Sequence, residues 1–137
     1  MEKKKCLLFI VSEENVHIIK SKGIIGFKQR FLKSLRKLSI GDEVILYIKG
    51  KKLMGIFNIN SELYEDKKEM FPDETYPLRL KLAEKGKIKR KPFINEFIDK
   101  LDFITNKVHW MGNFQGKSLI SLEKKDFNLL RDYLNEK

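Results

Sequence analysis

The order of apolar runs and turns in this chain predicts an α+β domain built around a curved, sheet-like or barrel core with surrounding helices. Three observations carry that reading. The run Cys6 to Val11 is almost wholly apolar, the runs Val44 to Ile48 and Leu53 to Ile59 flank the turn Lys49-Gly50-Lys51-Lys52, and helical stripes interrupt the strands without regular βαβ spacing. With 137 residues, 42% of them hydrophobic, the chain can bury one core, so residues 1–137 are expected to form a single domain.

Taken in order, Cys6 to Val11 reads as a strand buried on both faces and therefore central. Ser12 offers a cap for a short helix through Val16, Ile18 and Ile19 that ends near Gly23. Phe31, Leu32, Leu35 and Leu38 then recur at helical spacing, and Lys28, Arg30, Lys33, Arg36 and Lys37 fill the remaining arc, which predicts an amphipathic basic helix over 28–38. The turn Ser39-Ile40-Gly41-Asp42 leads into the hairpin. The acidic segment from Glu62 to Glu74 reads as a loop. In the next strand Leu78, Leu80 and Leu82 alternate with Arg79 and Lys81, which predicts one core face and one cationic face. Pro92 suits the first turn of a helix striped by Phe93, Ile94, Phe97, Ile98 and Leu101. A turn-rich segment from Asn106 to Gly116 precedes a short strand, Leu119 to Leu122, and a C-terminal helix marked by Phe127, Leu130 and Leu134.

The chain carries 29 Lys and Arg against 19 Asp and Glu, a formal charge of +10. These charges are segregated. No acid occurs from Val16 to Gly41, a second basic stretch runs from Arg79 to Lys91, and the acids gather between Glu62 and Glu74. Such segregation favours one positive face and a polyanionic partner, above all nucleic acid. No apolar run approaches the roughly 18 residues of a membrane span, and the apolar stretch after Lys3-Lys4-Lys5 ends at Ser12-Glu13-Glu14 without a cleavage site, so a soluble, cytoplasmic protein with no membrane partner is expected.

Catalytic and metal chemistry find no support in the residue pattern. The one cysteine, Cys6, sits in the apolar first strand, where a thiol behaves as a small hydrophobe. His17 and His109 are far apart in sequence and lack metal-ligand spacing. The glycines form neither a GxGxxG nor a P-loop pattern. The expectation is a binding protein without catalytic residues, metal or cofactor.

The segment Lys107 to Lys117 places the only tryptophan, Trp110, with Asn113, Phe114 and Lys117 on a glycine-punctuated loop. Aromatics beside hydrogen-bonding groups can stack on a base and read its edge, although the same aromatics would also suit plugging the end of a core.

With this loop, the order of landmarks resembles the EVE-domain family. These are the first strand running into Ser12-Glu13-Glu14-Asn15, the glycine Gly26 ahead of the basic segment, the turn and strand Ile40 to Tyr47, Ser61-Glu62-Leu63-Tyr64, Tyr76-Pro77-Leu78-Arg79, Phe103 to Lys107, and Trp110 to Lys117. The resemblance implies a PUA-like fold, a curved and mostly antiparallel sheet related to the YTH domain, and a non-catalytic reader of RNA or DNA that takes a modified base into a pocket. By position it implies a base pocket of Ser12, Asn15, Ile25, Gly26, Trp110, Asn113 and Phe114. Phosphate-backbone contacts would fall to Lys28, Arg30, Lys33, Arg36 and Lys117. Where relatives often carry tryptophan, this chain has Leu7, Val16 and Ile25. A different class of function, a protein-interaction or small-ligand module, would use the same fold.

If Trp110 is one wall of a base pocket, Trp110→Ala costs about 1–3 kcal/mol in binding to a base-containing ligand. Calorimetric titration alongside thermal unfolding checks this. A variant destabilised by about 3–5 kcal/mol whose folded fraction binds normally makes Trp110 a core residue instead.

Overall fold

In the computed structural model, which describes residues 4–72, 75–85, 99–102, 104 and 117–134, the apolar run Cys6–Val11 is the strand β1, and both its faces are covered. Its even-numbered side chains, Cys6, Leu8 and Ile10, pack with Ile45, Tyr47, Phe127, Leu130 and Leu134. Its odd-numbered side chains, Leu7 and Phe9, pack with Ile19, Ile25, Phe27, Leu78 and Leu80 on the other side. The alternation of a strand therefore feeds two apolar layers at once.

The helix α1 (Glu13–Lys22) follows β1 directly and stops where Gly23 turns left-handed, its N–H donating to the Ile19 carbonyl at 2.8 Å. The remaining elements are β2 (Ile24–Phe27), α2 (Leu32–Leu35), β3 (Glu43–Ile48), β4 (Leu53–Ile59), β5 (Tyr64–Glu65), β6 (Leu78–Glu84), β7 (Leu119–Leu122) and α3 (Lys124–Leu134). One seven-stranded sheet runs β2-β6-β4-β3-β1-β7, with β5 also paired to β6. β1 and β3 are parallel, in register from Cys6 opposite Glu43 to Val11 opposite Ile48. The other pairings among the described residues are antiparallel. The sheet curls into a half-barrel. Although three strands separate β2 from β1 in the sheet order, the rings of Phe9 and Phe27 meet edge to face with centroids 5.1 Å apart. The α+β class and the curved, mostly antiparallel sheet are as expected.

Four local expectations change. The basic segment is not one helix over 28–38. It begins as a 3-10 turn, Gln29–Phe31, continues as the single turn α2, and closes with i→i+3 bonds from Lys37 to Ser34 and from Leu38 to Leu35. Only Leu35 is fully buried there, so little apolar contact pulls the segment into a longer regular helix. Ser12 occupies the N-cap position of α1, but its hydroxyl makes no capping bond. Residues 24–27, to which the sequence pattern assigns no element, are a strand, and so are residues 64–65 within the expected loop. The helix expected from Pro92 lies, but for its last residues, outside the described residues.

The fourth change is at Arg79. Alternation places it on a solvated cationic face with Lys81, yet it is 2% exposed. Its guanidinium donates to the carbonyls of Lys68 and Thr75, and its Nε to that of Tyr76 at 3.2 Å. Asp66 supplies the counter-charge at 3.4 Å. The planar fork of an arginine can tie several carbonyls at once, so Arg79 holds the chain before β6 against the sheet. Beneath the same segment, Gly26 pairs with Arg79 across β2 and β6. A Cβ on Gly26 would fall 2.6 Å from Tyr76 Cβ and 2.8 Å from Phe71 Cε2, and Tyr76 itself sits at φ +48°. The glycine is what lets this aromatic pair lie on the strand.

Two substitutions test this clasp. Arg79→Met takes a buried guanidinium away from three carbonyls and the Asp66 carboxylate, and is expected to lower the unfolding free energy by about 3 kcal/mol in a urea titration. A loss below about 0.5 kcal/mol would mean that water satisfies those carbonyls equally well. Gly26→Ala overpacks the Phe71–Tyr76 contact and should cost about 1–3 kcal/mol by the same measurement.

Candidate nucleic-acid interface

The parallel strands β1 and β3 end side by side at Val11 and Ile48, and there the chain diverges. After β1 it turns into α1 through Ser12. After β3 it enters a hairpin that Gly50 closes with φ +74°, its N–H donating to the Tyr47 hydroxyl at 2.6 Å. Burial among apolar neighbours pushes the Tyr47 phenol up to about 12, so it stays protonated as a fixed part of the hairpin. Between the two exits lies a cavity of about 360 Å³ lined by Val11, Ser12, Ile48, Lys49, Lys51 and Lys117 among others.

Ser12 is a polar residue in the lining of this space. Its Oγ is buried and makes no hydrogen bond among the described residues. A buried hydroxyl left in that state costs about 1–3 kcal/mol, which makes it an available donor or acceptor for a ligand. Around it the charge is positive but not raw. Lys51 donates to the Glu13 carboxylate, and that bond and charge hold the Glu13 carboxyl below its usual range. Glu13 is thus neutralised, and Lys49 and Lys117 give the rim its sign. The first turn of α1 is fixed by the Asn15 N–H donating to the Ser12 carbonyl at 3.2 Å, and Asn15 itself is buried.

The expected base-pocket residues do not all gather here. Ser12 lines the cavity, with the phosphate candidate Lys117 across from it, and Asn15 stands one turn behind. Ile25 points into the inner apolar layer and is 1% exposed, while Gly26 lies under Phe71 and Tyr76. Trp110, Asn113 and Phe114 lie outside the described residues.

The phosphate candidates also divide. Lys28, Arg30, Lys33 and Arg36 are exposed. The Arg30 guanidinium stacks over the Phe31 ring at 4.7 Å. Arg36 lines a separate cavity of about 610 Å³ whose rim includes Glu62 and Glu65. That acidic company makes it a poor phosphate ligand. The hairpin itself is legible in the sequence, but its place beside the cavity is not. Lys49-Gly50-Lys51-Lys52 reads in sequence as a turn, although the turn needs only the glycine and the lysines are the surplus signal.

For other chemistry, the described residues hold no cluster of three His, Cys, Asp or Glu side chains able to bind a metal. Cys6 lies in the apolar layer under α3, where burial pushes its thiol up and away from the reactive thiolate. No helix of the described residues is long and apolar enough to cross a membrane.

Comparison with known proteins agrees with the geometry. A UPF0310 protein of Pyrococcus abyssi is 31% identical, the match covering 93% of this chain and 97% of that protein. Among solved structures, the human THYN1 protein in complex with 5-methylcytosine-containing DNA superposes with a TM-score of 0.69 at 14% identity, covering 98% of this chain and 99% of that one. The YTH domain of Mmi1 in complex with RNA gives 0.66 at 12% identity, covering 95% of this chain and 82% of that one. At these identities the likeness is one of fold, the PUA-like half-barrel. The sequence pattern of the EVE domain matches residues 7–133, and the chain belongs to the EVE-domain family.

Proposed function

We propose that this chain is a non-catalytic nucleic-acid-binding module, one domain over residues 1–137, that takes a base of RNA or DNA into the cavity at the carboxyl ends of β1 and β3. The observation that carries the reading is the buried Ser12 hydroxyl without a hydrogen-bond partner among the described residues, in a cavity rimmed by Lys49, Lys51 and Lys117. A base edge supplies the missing hydrogen bond, and its phosphate finds the lysines. The volume of about 360 Å³ falls at the small end of ligand pockets, as a single base requires. Support comes also from the same fold bound to methylated DNA in THYN1 and to RNA in Mmi1. A modified base is the ligand class this reading favours, with Trp110, Asn113 and Phe114 completing the pocket wall.

Ser12→Ala tests it in a way that separates binding from folding. An N-cap serine that caps costs about 0.5–2 kcal/mol of stability when replaced, but here the hydroxyl makes no such bond and its removal relieves a buried unpaired group, so thermal stability should hold or rise. Affinity for a single-stranded oligonucleotide should fall about tenfold, the worth of one hydrogen bond to a buried group. Unchanged affinity together with a stability loss of about 1 kcal/mol would make Ser12 an ordinary cap and remove the pocket.

A further inference from the structure

The Ser12 cavity does not end at Lys117. The same lysine lines a second cavity of about 460 Å³ that runs along β7 and ends at Lys5, walled by Leu119, Ile120 and Ser121 on one side and by Phe31, Ser34 and Lys37 on the other. Lys5 in turn lines a third cavity, of about 540 Å³, with Lys4 and Lys124. Lys117 and Lys5 each line two of the three cavities, which therefore succeed one another as a trough along β7. Among the described residues β7 pairs on one side only, with β1.

The sign of the trough is uniform. Its middle section has no acidic side chain in its lining. At the two ends the acids present are already engaged: Glu13 accepts from Lys51, and Glu43 accepts from Lys85 at 2.7 Å. Asp42, close to the Lys5 end, is buried and turned inward, accepting from the backbone N–H groups of Lys5 and Ser39 at 2.9 and 2.8 Å. The Lys5 ammonium donates to the Lys37 carbonyl, which fixes its position against the far wall.

The length fits a polyanion better than a single anion. Four strand residues at about 3.4 Å each, with Lys117 before them and Lys124 beyond, make the trough longer than a single phosphate group. The two walls add Phe31, Leu119 and Ile120, apolar surface on which bases can lie while phosphates meet lysines. We infer that the trough formed along β7 by Lys117, Lys37, Lys5 and Lys124 carries the phosphate backbone of a short single strand leading away from the Ser12 cavity. The inference rests on the proposed base pocket for its polarity and starting point, and it replaces Lys33 and Arg36 as backbone contacts, since neither lines the trough.

Binding of oligothymidylates two, four, six and eight nucleotides long, measured by fluorescence anisotropy over a range of salt, tests it. Affinity should rise with length and level off between four and eight. Lys37→Glu and Lys124→Glu, both exposed positions, should each weaken the eight-mer roughly fivefold or more and reduce the log-log salt slope by about 0.7 for each phosphate no longer neutralised. Lys33→Glu, exposed on the same segment as Lys37 but outside the trough, should change neither. Equal losses for Lys33→Glu and Lys37→Glu would overturn the trough in favour of a diffuse positive surface, as would no loss for Lys37→Glu. Polyglutamate displacing the eight-mer as readily as an equal length of oligothymidylate would overturn the nucleic-acid assignment. Ser12→Ala weakening binding while Lys37→Glu does not keeps the pocket and removes the trough. The reverse result keeps the trough and removes the pocket.

Discussion

The structure depends on one constraint, that β1 must be buried on both faces while lying parallel to β3. A parallel pair cannot be joined by a tight turn, so some thirty residues, from Ser12 to Asp42, have to cross from the end of one strand to the start of the other. That crossing supplies α1, β2 and α2, and β2 with β6 covers the odd-numbered face of β1 as the sheet curls. The even-numbered face falls to α3 and to Leu101 and Ile104. The candidate site is a by-product of the same constraint. Two parallel strands end together, their continuations leave in different directions, and the first residues past each end, Ser12 and Lys49, face one another across the gap.

The charge of +10 is an average over two kinds of place. Several acids are engaged in structural contacts: Asp66 with buried Arg79, Asp42 and Asp126 with backbone N–H groups, Glu43 with Lys85, and Asp102 with Lys125 at 2.9 Å. Exposed pairs of this sort contribute little to stability, about 0–1 kcal/mol each. Their larger effect is on the field. They cancel acids near the β7 trough and leave its lysines with the net sign, whereas elsewhere Glu62 and Glu65 offset Arg36. Segregation of charge along the sequence therefore indicates a polyanionic partner without locating the face that would meet it.

What was legible in the sequence follows from what local pattern can encode. β1, β4, β7, α3 and the end of α1 at Gly23 are written in apolar periodicity and turn residues, and each lies where the pattern puts it. β2 and β5 were not legible. Ile24 to Phe27 and Tyr64-Glu65 are short and carry no alternation of their own, and both are strands because β6 offers them backbone partners. Arg79 escapes the pattern for the same reason. Its burial depends on the carbonyls of residues 68, 75 and 76 converging, which no spacing in the sequence records. Of the site, Ser12 and Lys117 could be picked out by position in the family, but Lys5, Lys37 and Lys124 meet only because β7 lies between α2 and β1.

The aliphatic residues at Leu7, Val16 and Ile25 bear on how such a site would hold its ligand. All three are almost fully buried, Leu7 and Ile25 in the inner apolar layer. They stabilise the half-barrel by burial, each on the order of 1.5–3 kcal/mol, but present no ring to a base. A tryptophan at any of these positions would supply stacking worth about 1–3 kcal/mol per base and largely insensitive to salt. Without it, the proposed binding at the carboxyl ends of β1 and β3 would lean on the Ser12 hydroxyl for orientation and on lysines for strength. Ionic contacts scale with the number of phosphates engaged and weaken steeply as salt rises. A site of this composition gains more from a longer strand than from a better-fitting base, and that is the physical reason a trough leading away from the cavity would matter more in this chain than in a relative whose pocket is lined with tryptophan.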